Sequence, residues 1–92
     1  MKFDKNTLYD DFPVTDYYKG RIINAVTIRK GGNWWSAILL IKEPKSEKII
    51  AMLYKWQKTD SKWKVRSKFK ISDKNILIKV RAILGEYADR LS

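Results

Sequence analysis

Apolar and polar positions alternate with a period of two through much of this chain, most sharply from Lys62 to Ser72. That stretch reads Lys62-Trp63-Lys64-Val65-Arg66-Ser67-Lys68-Phe69-Lys70-Ile71-Ser72. Successive side chains of a β-strand point to opposite faces. As a regular strand, the segment sets Trp63, Val65, Phe69 and Ile71 on one face and Lys62, Lys64, Arg66, Lys68 and Lys70 on the other. A helix would scatter the same charges and apolar groups all round, so the period selects a strand. Five cations on one face repel each other, and a polyanion across that face relieves the repulsion. The plain alternative is a solvated face whose lysines keep an edge strand from aggregating.

Three further runs share the strand pattern. Arg21–Lys30 is rich in Ile, Val and Thr and ends at the turn triplet Gly31-Gly32-Asn33. Trp34–Lys42 is apolar on both faces, as a strand near the middle of a sheet should be. A polar loop, Glu43-Pro44-Lys45-Ser46-Glu47, leads to Ile49–Lys58. There Ile50, Met52, Tyr54 and Trp56 fall on one side and Ile49, Ala51, Leu53 and Lys55 on the other. Thr59-Asp60-Ser61 turns the chain into the basic strand. Three short connections between four strands predict an antiparallel meander.

After Ile71 the period changes. Ser72 is a good helix N-cap, with Asp73 beside it in the first turn. Ile76, Leu77, Val80, Ile83, Leu84, Tyr87 and Leu91 recur at helical spacing, which predicts a helix from about Asp73 to about Arg90. Gly85 costs that helix about 1 kcal/mol relative to Ala, and close packing is the one reason the sequence offers for it. Leu77, Val80, Leu84, Tyr87 and Leu91 form one stripe. A single small sheet cannot bury this stripe together with both faces of the central strands. The expectation is a homodimer whose interface includes those five residues.

Residues 1–19 show no sustained period. Phe3, Leu8, Tyr9, Phe12, Tyr17 and Tyr18 are spread among acids, and Pro13 forbids a helix through it. The segment reads as an arm that docks through its aromatics onto a domain formed by residues 20–92. The fold class is therefore α+β: a four-stranded antiparallel sheet in the order β-β-β-β-α.

Charge sharpens the functional reading. Residues 1–20 hold Lys2, Lys5 and Lys19 against Asp4, Asp10, Asp11 and Asp16. Residues 1–20 thus net −1, and residues 21–92 carry +11. Such a field attracts nucleic acid or an anionic membrane surface. The membrane reading wants a basic helix with a bulky apolar face, whereas here the charge sits mostly on strands. Without Cys or His, disulfides, thiolate chemistry, zinc sites and His-based acid–base catalysis are excluded. No apolar run reaches membrane-span length and the first residues lack an export-type stretch, so the cytoplasm is the expected location. Asp10, Asp11 and Asp16 sit in the aperiodic arm without fixed spacing. No catalysis, metal, cofactor or small-molecule substrate is expected from them.

Several residues together carry a family likeness. The third strand ends Tyr54-Lys55-Trp56. The fourth ends Phe69-Lys70-Ile71 and runs directly into a Ser72-capped helix. Over roughly residues 20–91 the chain resembles the single-stranded-DNA-binding domain of the transcriptional coactivator family of positive cofactor four, and the related Whirly fold. It departs from that family in reading Ser67-Lys68 where a Lys-Gly pair is usual, and in the shorter loop before the last strand. The resemblance implies a curved antiparallel sheet with a C-terminal helix, paired into a dimer. It implies binding of single-stranded nucleic acid with low sequence preference. Trp56 then matches the family's stacking Trp and Lys55 its basic neighbour, while Lys64, Arg66 and Lys68 fall where family cations meet phosphates.

The physical reading points the same way, since non-specific single-strand binders combine a basic groove with aromatic platforms. The candidate contacts are Arg29, Trp34, Tyr54, Lys55, Trp56, Lys58, Lys62, Lys64, Arg66, Lys68 and Lys70. Trp63, alternating with Val65 and Phe69, is expected in the core. Trp56, at a strand end where burial runs out, fits either role. Trp34 and Trp35 point opposite ways, so one is core and the other available. The competing readings are a small basic duplex-binding protein of the chromatin type, which wedges apolar residues into the minor groove, and a protein-interaction module whose charge serves solubility.

Overall fold

The computed structural model describes residues 11–91. Four strands form one antiparallel sheet in sequence order: β1 (Ile22–Gly31), β2 (Trp34–Lys42), β3 (Ile49–Thr59) and β4 (Lys62–Ile71). One helix, α1 (Lys74–Ala88), follows. The expected α+β meander is therefore the fold. Asp60 and Ser61, at φ 51° and 64°, form the two-residue connection between β3 and β4. Two positive φ values in sequence match the right-handed twist of the flanking strands. Gly32, at φ 57°, does similar work between β1 and β2.

The sheet has two unlike faces. On the first, Ala25, Trp35, Ala37, Leu39, Ile41, Ile50, Met52, Tyr54 and Trp56 are buried. Phe12 and Val14 of the N-terminal segment cover them. Phe12 lies 5.0 Å from the Trp35 ring, and Trp56 stacks on Tyr54 at 4.9 Å and 9°. Both buried indoles are satisfied: Trp35 Nε1 donates to Thr27 Oγ1 and Trp56 Nε1 to the Pro13 carbonyl, each at 3.1 Å. A buried indole N–H without a partner would forfeit its hydration. The arm thus docks partly as expected, through Phe12 and the half-buried Tyr18, while Tyr17 is exposed. Phe3, Leu8 and Tyr9 lie outside the described residues.

β4 departs from regular alternation. Lys55 pairs with Ser67 but Trp56 pairs with Val65, so Arg66 is an extra residue in a β-bulge. A bulge inserts one residue without a partner and shifts the alternation by one. The five cations expected on one face are therefore divided. Lys62, Lys64 and Arg66 lie on the second face, opposite the arm, whereas Lys68 and Lys70 pair with Tyr54 and Met52 on the arm face. The apolar residues divide too. Trp63 and Val65 join the arm face, and Phe69 and Ile71 the other.

The helix begins one residue later than expected. Asp73 is the N-cap in place of Ser72, its carboxylate accepting from Asn75 N at 2.7 Å and Ile76 N at 3.3 Å. A carboxylate meets the positive helix end with more charge than a hydroxyl. Of the four strands, α1 touches β4 alone, and none of its residues is buried. It stands off the second face and leaves an apolar cavity of about 590 Å³ lined by Ile38, Leu53, Ile71, Leu77, Val80 and Leu84 among others. A Cβ at Gly85 would meet nothing within 4 Å, so packing within this chain does not require that glycine. No helix among the described residues is long and apolar enough to cross a membrane.

Candidate nucleic-acid interface

The strands carry charge of one sign. Together β1 to β4 hold ten Lys and Arg residues and no Asp or Glu. Register decides how those cations group. On the face opposite the arm, Gly31, Trp34, Gln57 and Lys64 form one cross-strand row, and Arg29, Ser36, Lys55 and Ser67 the next. Lys62, opposite Thr59, lies just beyond the first row. The following rows are mostly apolar: Val26, Ile38, Leu53 and Phe69, then Leu40, Ala51 and Ile71 with Asn24 at the β1 end. One face is thus divided across its strands. The hairpin end is basic and polar, and the helix end is apolar.

Trp34 sits in the basic half and is 43% exposed. Lys55 Nζ lies 4.8 Å from the centroid of its ring, within cation–π range. Arg66, which alternation from Lys62 already sets on this side, donates from Nε to Gln57 Oε1 at 2.9 Å. Lys55 on β3 stands over the indole, Arg29 lies on β1 to one side, and Lys62, Lys64 and Arg66 lie on β4, two strands to the other side, all on the same face. Among the described residues none of the five has a carboxylate within ion-pair distance. The arrangement offers an exposed aromatic ring on the same face as five cations that lack a counter-charge among the described residues, which suits stacking of a base with phosphates held elsewhere on that face.

The other candidates lie on the arm face. Trp56 is 0% exposed and Tyr54 is buried beside it, so neither offers a ring to a base; the stacking role expected for Trp56 is corrected by its burial. Burial, with Tyr18 adding a little, pushes the Tyr54 phenol up to about 12. Lys58 packs near the Trp63 ring at 5.8 Å. Lys70 Nζ is 2.9 Å from Glu43 Oε2. That hydrogen bond holds the Glu43 carboxyl below and the Lys70 ammonium above their ordinary values. Lys70 thus already has an anion, and Lys68 is exposed across from Tyr54.

The Trp34–Trp35 ambiguity resolves as alternation requires: Trp35 is core and Trp34 is open. Trp63 packs partly against the core, edge-on to Trp35 at 5.5 Å. The expected interface residues of the helix, Leu77, Leu84, Tyr87 and Leu91, are exposed in the single chain, and Val80 is half-buried. Sequence reasoning passed over Gln57, although its spacing of two from Lys55 was signal enough to place it on the Trp34 face. Lys30, which the sequence reads with Arg29 as an ordinary charge beside the glycine turn, rests its Nζ 3.9 Å from the Trp35 ring.

No protein-family model, curated protein or solved structure matches the chain.

Proposed function

We propose that the chain binds single-stranded nucleic acid with little sequence preference, on the sheet face opposite its N-terminal arm. The observation that carries this reading is the exposed Trp34 ring on one face with Arg29, Lys55, Lys62, Lys64 and Arg66, on strands without any acid. A base stacks on the indole in place of the Lys55 ammonium. The displaced ammonium takes a phosphate in exchange. Stacking is tolerant of sequence because every base has a π-face, and the phosphates are alike at every step. The role is binding rather than catalysis.

The apolar half of the same face, with the helix stripe, packs against a second copy of the chain. Ile38, Leu40, Phe69, Leu77, Leu84 and Tyr87 are exposed together there. A soluble monomer rarely exposes so continuous an apolar area, and pairing identical patches about a two-fold axis is the commonest way to cover one.

The experiment is a competition titration with single-stranded DNA, single-stranded RNA and duplex DNA of equal length, at fixed salt. Preference for either single strand supports the proposal. Preference for duplex would instead favour a chromatin-type binder.

A further inference from the structure

The reverse side of the same sheet end carries a second indole with two ammonium groups. Trp63 is half-buried. Lys58 Nζ lies 5.8 Å and Lys30 Nζ 5.9 Å from its ring centroid. Register accounts for this: Lys58 pairs with Trp63, and Lys30 pairs with Trp35, the ring that Trp63 meets edge-on. Neither lysine has a carboxylate partner among the described residues.

This cluster lies on the opposite face of the sheet from the Trp34 cluster, and β4, which carries Trp63, is one of the sheet's two edges. Its residues from Lys64 to Lys70 are all exposed. Two neighbours lie on opposite sides of that edge, with Arg66 toward Trp34 and Val65, 41% exposed, toward Trp63. A polymer crossing the edge at this point leaves one set of unpaired cations and meets the other.

We propose that a single strand longer than one face can hold turns over the β4 edge at Val65–Arg66 and is held again by Lys30, Lys58 and Trp63. This rests on the Trp34-face reading and extends it to a second contact surface. Once the first segment is bound, the second contact is intramolecular, at an effective concentration in the millimolar range for a short flexible connection. Two lysines then add affinity that they lack alone.

The test uses oligothymidylates from about 4 to about 16 nucleotides, the span of known single-strand site sizes. Salt slopes are measured for the wild type, for K30Q/K58Q and for K62Q/K64Q. Glutamine keeps an aliphatic stem against the indoles, and thermal melts verify that each variant is folded. The wild-type slope should steepen with length by about 1.4, two contacts at about 0.7 each. K30Q/K58Q should lose that step and bind the shortest strand as the wild type does. K62Q/K64Q should bind more weakly at every length. If K30Q/K58Q keeps the wild-type slope at all lengths while K62Q/K64Q is weakened, the edge crossing is wrong and the Trp34-face reading stands. If K62Q/K64Q matches the wild type on the shortest strand, that reading falls and the edge crossing with it.

Discussion

Arg66 Nε donates to Gln57 Oε1 at 2.9 Å, although the register partner of Gln57 is Lys64. The bond holds the bulge residue on the Trp34 face. It leaves Val65 and Ser67 on opposite faces with one residue between them, which a regular strand forbids.

Deleting Arg66 tests this directly. With the bulge gone, Val65 is followed by Ser67, and regular alternation already sends them to opposite sides. Lys68, Phe69, Lys70 and Ile71 then keep their faces. The deletion should melt close to the wild type and bind short strands as Arg66→Ala does. A regular β4 predicts the reverse, since losing one residue would swap every side chain after it and ruin the fold. Thermal melting of the deletion variant separates the two.

Trp34 and Trp56 should fail in different ways. Trp34→Ala removes an exposed ring and should cost about 1–3 kcal/mol of binding to short oligonucleotides with the salt slope unchanged. Trp56→Ala empties a buried site and should cost about 3–5 kcal/mol of folding stability. Paired melts and titrations read both. An early-melting Trp34→Ala, or a Trp56→Ala that melts normally and binds poorly, would reverse these roles.

Most of the fold was legible because strand period, turn residues and helix spacing are local properties. Glu43-Pro44-Lys45-Ser46-Glu47 and Thr59-Asp60-Ser61 announce their turns, and β2 and β3 announce their central places by being apolar on both faces. The bulge at Arg66 was not legible, since Lys62 to Lys70 alternates perfectly in sequence. The partner strand sets its register: Trp56 is held inward by Phe12 and the Pro13 carbonyl, Tyr54 stacks on Trp56, and β4 pairs with both across the bulge. Trp56 was ambiguous for the same reason. Its burial depends on an arm 43 residues earlier in the chain, which no local pattern encodes. Trp34 was half legible, as one of two adjacent indoles that must face apart.

Binding of a short strand should depend steeply on salt. Five cations share the Trp34 face. If each meets a phosphate, the log–log slope is about −3.5, from about −0.7 per contact. Lys64→Ala should flatten it by about 0.7, whereas Lys70→Ala, on the other face and already paired with Glu43, should leave it alone. A slope near zero for the wild type would remove the electrostatic basis of the site.

Alkaline stability should report Tyr54. Its phenol is pushed up from 10.0 to about 12, so the native chain keeps the proton over a range where the unfolded chain has lost it. The unfolded state then binds fewer protons, and stability falls as pH rises from about 10 to about 12. Below that range Tyr54 contributes no pH dependence. Tyr54→Phe has no proton to lose and should show a shallower alkaline decline in Tm. Equal declines in both proteins would assign the alkaline loss to other groups.

The state of association is the last expectation. Leu84, 54% exposed, and Leu77 line the cavity between α1 and the sheet together with Ile38, Leu53 and Ile71. An open apolar groove of that size keeps its lining in water unless something covers it. Closing it by moving α1 inward buries the helix stripe but leaves Ile38 and Phe69 competing for the same cover. A second copy covers stripe and sheet at once, which is why a dimer is expected to sediment at micromolar concentration. Leu84→Asp places a charge in that contact. It should yield monomers that retain the far-ultraviolet signature of the sheet, because the arm-side core of Trp35, Leu39, Ile50 and Trp56 does not involve the helix. A wild type that sediments as a monomer would show that the chain tolerates the exposed face alone. If Leu84→Asp remains dimeric, the two-fold contact lies elsewhere than on this stripe.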